Sequence, residues 1–201
     1  MKSAISNIWL LGLVVLFIFI FAGYLAITIN YTKTFKVKSE MITMIEKQKG
    51  VVDKATGAEK NSIIKSGKVY SDVGSLQTIS LYLYGMGYKV KGTCDTASSV
   101  NAGEGWYGVT KLGIPGSGTT ISPEYEKVSA GKKYYYCFAH GRYKKHKEDG
   151  AAVDYSHYYK IQVFYKMDLP VLGDLFTFRV EGTTAEIFNP TCGNNTVCKI
   201  G

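Results

Sequence analysis

Residues 8–29 form an unbroken run of 22 residues that carries no charge and no proline and contains only two glycines, Gly12 and Gly23. As an α-helix rising about 1.5 Å per residue, the run is roughly 33 Å long, which matches a hydrocarbon core of about 30 Å. It reads as a transmembrane anchor, so the rest of the chain must fold beside a bilayer. Trp9 near one end, and Tyr24 and Tyr31 near the other, stand where aromatic side chains collect at a membrane surface. Residues 1–7 are a short tail whose only side-chain cation is Lys2. The run is longer than the core of a secretory signal and no small-residue cleavage site follows it, so the anchor is expected to stay uncleaved.

The helical pattern does not stop at the membrane. Residues 31–49 contain no Gly or Pro and place Phe35, Met41, Ile42 and Ile45 near helical spacing, with Lys36, Lys38, Glu40, Glu46 and Lys47 between them. Gly50 is the natural stop. The expectation is one long helix, apolar all round over 8–29 and amphipathic over 30–50, whose outer half needs a core to cover. Residues 51–201 suit a single domain of ordinary size. With 46% apolar and 20% charged residues and 16 tyrosines, that domain is expected to be α+β and rich in half-exposed strands.

Four cysteines, Cys94, Cys137, Cys192 and Cys198, all lie beyond the anchor. None forms a CxxC pair and no His stands at zinc-ligand spacing, so disulfides are favoured over a metal site. Of the three possible pairings, Cys94–Cys137 with Cys192–Cys198 is preferred, because the second closes a short loop holding Gly193, Asn194 and Asn195. Disulfides imply an oxidising compartment. Orientation is in conflict: Lys33, Lys36, Lys38, Lys47 and Lys49 outnumber the cations on the other flank, which by itself favours a cytoplasmic domain. The cysteines and the capacity of long domains to be translocated favour the outside. The reading adopted is a single-pass plasma-membrane protein with its large C-terminal domain extracytoplasmic.

Along that domain, 51–67 reads as polar loop with one short strand or helical turn at Ile63 and Ile64, and 71–84 as a second helix, capped by Ser71, buried through Val73, Leu76, Ile79 and Leu83, flanked by Tyr82 and Tyr84, and ended by Gly85 and Gly87. Strands are expected at 88–94, 106–112 and 133–140, with a long surface loop over 113–131. Residues 141–150 read as the exposed basic tip of a hairpin that returns through 155–167. A turn at 168–173 leads to a last strand over 176–188.

A helix half in the membrane and half on a sheet, with a C-terminal loop closed by cysteines, resembles a pilin or pseudopilin. Within that group, the segment 165–173 (YKMDLPVLG) followed by 178–188, with Val180, Glu181, Gly182, Thr183, Thr184 and Ala185, is similar to the C-terminal hairpin of TadE-like minor pseudopilins of tight-adherence pilus systems. The resemblance covers the N-terminal helix and about 25 residues near the end. It implies a pilin-like fold and a role in pilus assembly, with other membrane or pilus subunits met through the N-terminal helix. No Glu occurs before Glu40, so the pattern cleaved in pilin precursors is missing, and an uncleaved accessory protein fits better than a major filament subunit.

No enzyme is expected, nor any cofactor or metal. GxSxG, HExxH and P-loop spacings are absent, GIPGSG at 113–118 lacks the lysine of a phosphate loop, and His140, His146 and His157 read as surface or hairpin-end residues. The alternative function is a membrane-anchored adhesin or glycan-binding module. Its contacts would be Arg142, Tyr143, Lys144, Lys145 and Lys147 among neighbouring tyrosines, and its partner an acidic glycan rather than a nucleic acid. The net charge of +8 also favours anionic surroundings, the lipid bilayer among them.

Overall fold

The computed structural model describes residues 2–51, 63–65, 68–70, 74–96, 105–113, 123–145, 154–169 and 173–188. Helix α1 (Lys2–Lys47) is continuous, so the anchor and its amphipathic extension are one element. Threonines within it bond back to the preceding turn: Thr28, Thr32, Thr34 and Thr43 each donate to the carbonyl four residues earlier, at 2.8–3.0 Å. That satisfies hydroxyls that would otherwise disfavour a helix near lipid. Among the described residues, α1 is the one helix long and apolar enough to cross a membrane.

The outer half of α1 buries a single stripe: Thr34, Val37, Met41, Ile45 and Gln48, spaced by three and four residues. Phe35, expected on that stripe, is instead 48% exposed, with the Lys38 ammonium 4.1 Å from its ring centroid. Phe35 lies one residue, about 100°, from the stripe centre, and the sheet fixes the phase more strongly than the size of one aromatic ring. The helix ends in a Schellman motif. Gly50 N–H donates to the Ile45 carbonyl at 2.9 Å and Lys49 N–H to that of Glu46 at 3.1 Å, with Lys49 left-handed at φ 52°.

Five strands form one antiparallel sheet: β3 (Trp106–Lys111), β4 (Glu124–Lys127), β5 (Tyr136–Lys145), β6 (Asp154–Leu169) and β7 (Gly173–Thr183), in the order β4-β3-β5-β6-β7. The fold is α+β. A separate ribbon pairs β1 (Ile63–Lys65), at the short element expected around Ile63 and Ile64, with β2 (Lys68–Tyr70), which lies just beyond the stretch expected to be loop. Helix α2 (Ser75–Gly85) starts later than expected, with Gly74 as its N-cap rather than Ser71. The Gln77 side chain accepts the Gly74 N–H at 3.2 Å, and Ser75 Oγ donates to the Gly50 carbonyl at 2.8 Å, fixing the start of α2 at the end of α1. Its core face of Leu76, Ile79 and Leu83 is buried, Tyr82 packs beside it and Tyr84 is exposed.

Period-two alternation divides the sheet's two faces. On one face Val109, Tyr136, Phe138, Tyr159, Ile161 and Val163 meet Val37, Met41 and Ile45 of α1 and Leu76, Ile79 and Leu83 of α2. On the other, Trp106, Tyr134, Cys137, Ala139 and Phe164 meet Val90, Cys94 and Val128.

Three expectations need correction. The 113–131 loop contains β4, whose Glu-Tyr-Glu-Lys sequence has one apolar residue and no alternation to announce it, and which is held at the sheet edge through Tyr125 packed on Tyr107 and Phe138. The 88–94 strand is not formed. That segment crosses the sheet face and keeps one bridge, Gly92 to Tyr134. The basic hairpin tip does not begin at Gly141: residues 141–145 continue β5, paired with Tyr158, His157, Ser156, Tyr155 and Asp154 of β6. The last hairpin has the expected form, although β7 ends at Thr183, after which Ile187 bridges back to His157.

Candidate functional site

Of the cysteines, Cys94 and Cys137 are joined in a disulfide with a Cα–Cα distance of 6.0 Å, while Cys192 and Cys198 lie outside the described residues. The bond staples the strap formed by residues 88–96, in which Val90 and Cys94 pack on the face of the sheet opposite the helices while Tyr88, at its start, packs against the helix-side core. Three further clamps hold this strap, each replacing a strand partner with a pair of hydrogen bonds. The Tyr88 hydroxyl donates to the Phe164 carbonyl at 2.6 Å and accepts its N–H at 3.1 Å. Gly92 and Tyr134 exchange backbone bonds at 2.9 and 2.8 Å. The Gln162 amide accepts the Asp95 N–H at 2.9 Å and donates to the Asp95 carbonyl at 3.2 Å. Arg179 on β7 adds an ion pair to Asp95 at 2.6 Å. Gly92 is required here, because a Cβ would fall within the Phe164 ring.

The expected basic contact surface is divided. Arg142 and Tyr143 are neighbours on β5 and so point to opposite faces. Arg142 lies beside His157, whose pKa is lowered from 6.5 first by burial and then by the Arg142 charge. Tyr143 stacks on Tyr158 at 4.5 Å, and the Tyr158 ring lies over Gly141. Lys144 and Lys145 occupy strand positions opposite Tyr155 and Asp154, and Lys147 falls outside the described residues.

His140 is not at the surface but 1% exposed, and its Nε2 lies 2.9 Å from Nδ1 of His157, with the two rings parallel. Tyr159 stacks on His140 at 4.9 Å. Burial pushes the Tyr159 hydroxyl up to about 12 against a hydrogen bond to the Val51 backbone. Strand register explains the histidine pair, since His140 opposes Tyr159 and Arg142 opposes His157 on one face. Sequence reading could have found it only by fixing that register first.

The membrane-proximal end is the most distinctive surface. The large side chains of the apolar run are exposed from Ile8 and Trp9 to Leu25 and again at Ile29, with Ala26 and Ile27 half-buried. Where the run ends, Tyr31 meets Tyr165 edge-on at 6.1 Å, Tyr165 stacks on Phe178 at 5.1 Å, and Phe178 and Met86 are exposed. Burial, with the Tyr31 ring second, raises the Tyr165 pKa. This is an aromatic collar just beyond the apolar run of α1, the helix long and apolar enough to cross a membrane. Among the described residues, no group of three or more His, Cys, Asp or Glu is placed to hold a metal.

No family model matches the chain, and no curated protein or solved structure is significantly similar to it.

Proposed function

We propose that this protein is a non-enzymatic, single-pass membrane protein of pilin-like shape that serves as a minor or accessory component of a surface pilus or secretion-type assembly, its domain extracytoplasmic. One observation carries the reading: α1 is a single continuous helix, bare over its apolar half and packed on a five-stranded sheet over its outer half. A rigid helix of that kind transmits position from membrane neighbours to the domain without a hinge, as an assembly subunit requires. The Cys94–Cys137 disulfide supports an oxidising compartment. The bare half of α1 is the surface offered to other apolar helices, through close packing in the lipid.

Site-specific photo-cross-linking from Phe17, in native membranes, tests the assembly role. Discrete adducts with other small single-pass proteins are the expected result, and lipid adducts alone would sink the reading. Compartment is tested by labelling intact cells with a membrane-impermeant maleimide before and after reduction. Labelling only after reduction places the domain outside. Free thiols reached only after the membrane is opened would place it in the cytoplasm and remove a surface assembly from consideration.

A further inference from the structure

A groove of about 390 Å³ opens where α1 leaves the apolar run, between Asn30, Lys33, Thr34 and Val37 on the helix, residues 86–90, and the end of β6 from Phe164 to Lys166. Its existence follows from the strand lengths. β5 pairs with β6 no further than Val163, so beyond that point one edge of β6 is faced by the strap, through Tyr88, instead of by a strand. Three separate segments thereby bring Lys33, Lys89 and Lys166 to one groove, and among the described residues that line it there is no carboxylate.

Its level relative to the membrane is fixed by the helix. Lys33 is four residues beyond Ile29, about 6 Å along the axis. The headgroup layer on each side of a bilayer is of that thickness, roughly 5–7 Å. The mouth of the groove therefore lies among headgroups, beside the aromatic collar of Tyr31, Tyr165 and Phe178. The larger cleft nearby, about 590 Å³, shares Tyr88 and Lys89 with the groove but is also lined by Glu124, which pairs with Lys111 at 2.9 Å, and its Lys91 ammonium stands 4.4 Å from the Tyr135 ring.

We propose that the groove binds the phosphate of an anionic phospholipid headgroup, with Lys33, Lys89 and Lys166 as the cations that face it. Asn30 supplies a neutral polar side chain beside the phosphate, while Thr34, whose hydroxyl donates to the Asn30 carbonyl, joins Val37, Val90 and Phe164 in the wall behind it. A lipid bound there ties the domain's base to the bilayer and fixes its tilt about α1. The proposal rests on the membrane span alone and not on the assembly role, so either can fail without the other.

The test is native mass spectrometry of the full chain, released from non-ionic detergent, after titration with phosphatidylglycerol or phosphatidylcholine. Phosphatidylglycerol should be retained at least about tenfold better, given roughly fivefold per lysine near an anionic surface. The Lys33→Gln/Lys89→Gln/Lys166→Gln variant should lose that preference, and Lys91→Gln/Lys111→Gln/Lys127→Gln should keep it. Unfolding midpoints check that the variants fold. Should the first triple not fold, Lys33→Gln alone, at an exposed helix position, should cost roughly fivefold. Equal retention of the two lipids, or preference undiminished in the folded triple variant, overturns the proposal. Displacement of phosphatidylglycerol by millimolar inorganic phosphate would mean a free-anion site and overturns the lipid assignment.

Discussion

The two faces of the sheet are covered in different ways. One is covered by helices, whose backbone groups are satisfied internally, so the packing is left to side chains alone: Val37, Met41 and Ile45 of α1, and Leu76, Ile79 and Leu83 of α2. The other is covered by the irregular strap 88–96, which has no internal hydrogen-bond pattern and must find partners for its backbone on the sheet. It does so at Gly92, which pairs with Tyr134, and at Asp95, which pairs with the Gln162 amide; the Tyr88 hydroxyl in turn holds the Phe164 backbone, and a disulfide stands beside them. The contrast teaches that a buried non-helical segment is held by discrete polar and covalent clamps, whereas a helical cover is held by distributed apolar contact. Single substitutions should therefore separate the two.

The largest effect is expected on the strap side. Cys94 and Cys137 are 43 residues apart, and constraining an unfolded loop of that length stabilises the fold by about 4 kcal/mol. Replacing both with Ala should lower the unfolding midpoint accordingly and speed hydrogen exchange at the Gly92 and Asp95 amides before the amides of α2. If all amides accelerate together, the faces are one cooperative unit and the contrast is broken.

On the helix side, Met41→Ala removes a side chain that is fully buried and lies at the centre of the α1 stripe. A cavity there should cost about 3 kcal/mol, measured by denaturant titration in detergent. Exchange at Gly92 should rise only as global stability falls. Next in size is Tyr88→Phe, which keeps the ring and removes a hydroxyl bonded to both polar groups of Phe164. Leaving that N–H and carbonyl without their partner should cost about 2 kcal/mol, read as an earlier unfolding midpoint and proteolysis within 88–96.

The same contrast decides what the sequence reveals. α1 is legible because the run over 8–29 has no charge, and the α2 face because Leu76, Ile79 and Leu83 repeat at helical spacing. The β6–β7 hairpin is legible from alternation on both sides of a Leu-Pro turn. The strap alternates as a strand does, and nothing local distinguishes a segment that will pair along an edge from one that will cross a face. Its partners, Phe164 and Gln162, are distant in sequence. Of the functional surfaces, the anchor and its tyrosines can be read directly. The groove of Lys33, Lys89 and Lys166 cannot, since it exists only once three segments are packed. In the basic run at 142–147, the residues described are adjacent in sequence but parted by the pleat, with Arg142 beside His157 and Tyr143 on Tyr158.

A smaller effect, of opposite sign, is expected at the end of α1. Lys49 is a non-glycine residue at φ 52°, in the left-handed region that costs a side chain about 1 kcal/mol. Lys49→Gly should raise the unfolding midpoint by that amount, partly offset by the greater freedom of glycine in the unfolded chain. Exchange in the strap should not respond. A loss of stability would mean that the Lys49 side chain contributes more than its backbone costs.

The smallest effect is one of pH, and it belongs to the helix-covered face. One hydrogen lies between Nε2 of His140 and Nδ1 of His157 at 2.9 Å, so a proton added to both rings sets two N–H groups against each other. The His157 pKa in the fold is below 6.5, first through burial and then through Arg142. The unfolded chain therefore takes up the proton first as pH falls. The contribution of this group is complete above about 6.5 and is lost as pH drops through the lower, folded value. The unfolding midpoint should be level above that pH and decline shallowly below it, and the decline should weaken in His157→Gln. The His157 carbonyl accepts the Ile187 N–H at 2.7 Å, so that amide should exchange sooner in acid while Gly92 does not. Equal acid sensitivity at Gly92 would show that the strap senses this histidine pair through the sheet, and the two faces would then differ in how they are held but not in how they respond.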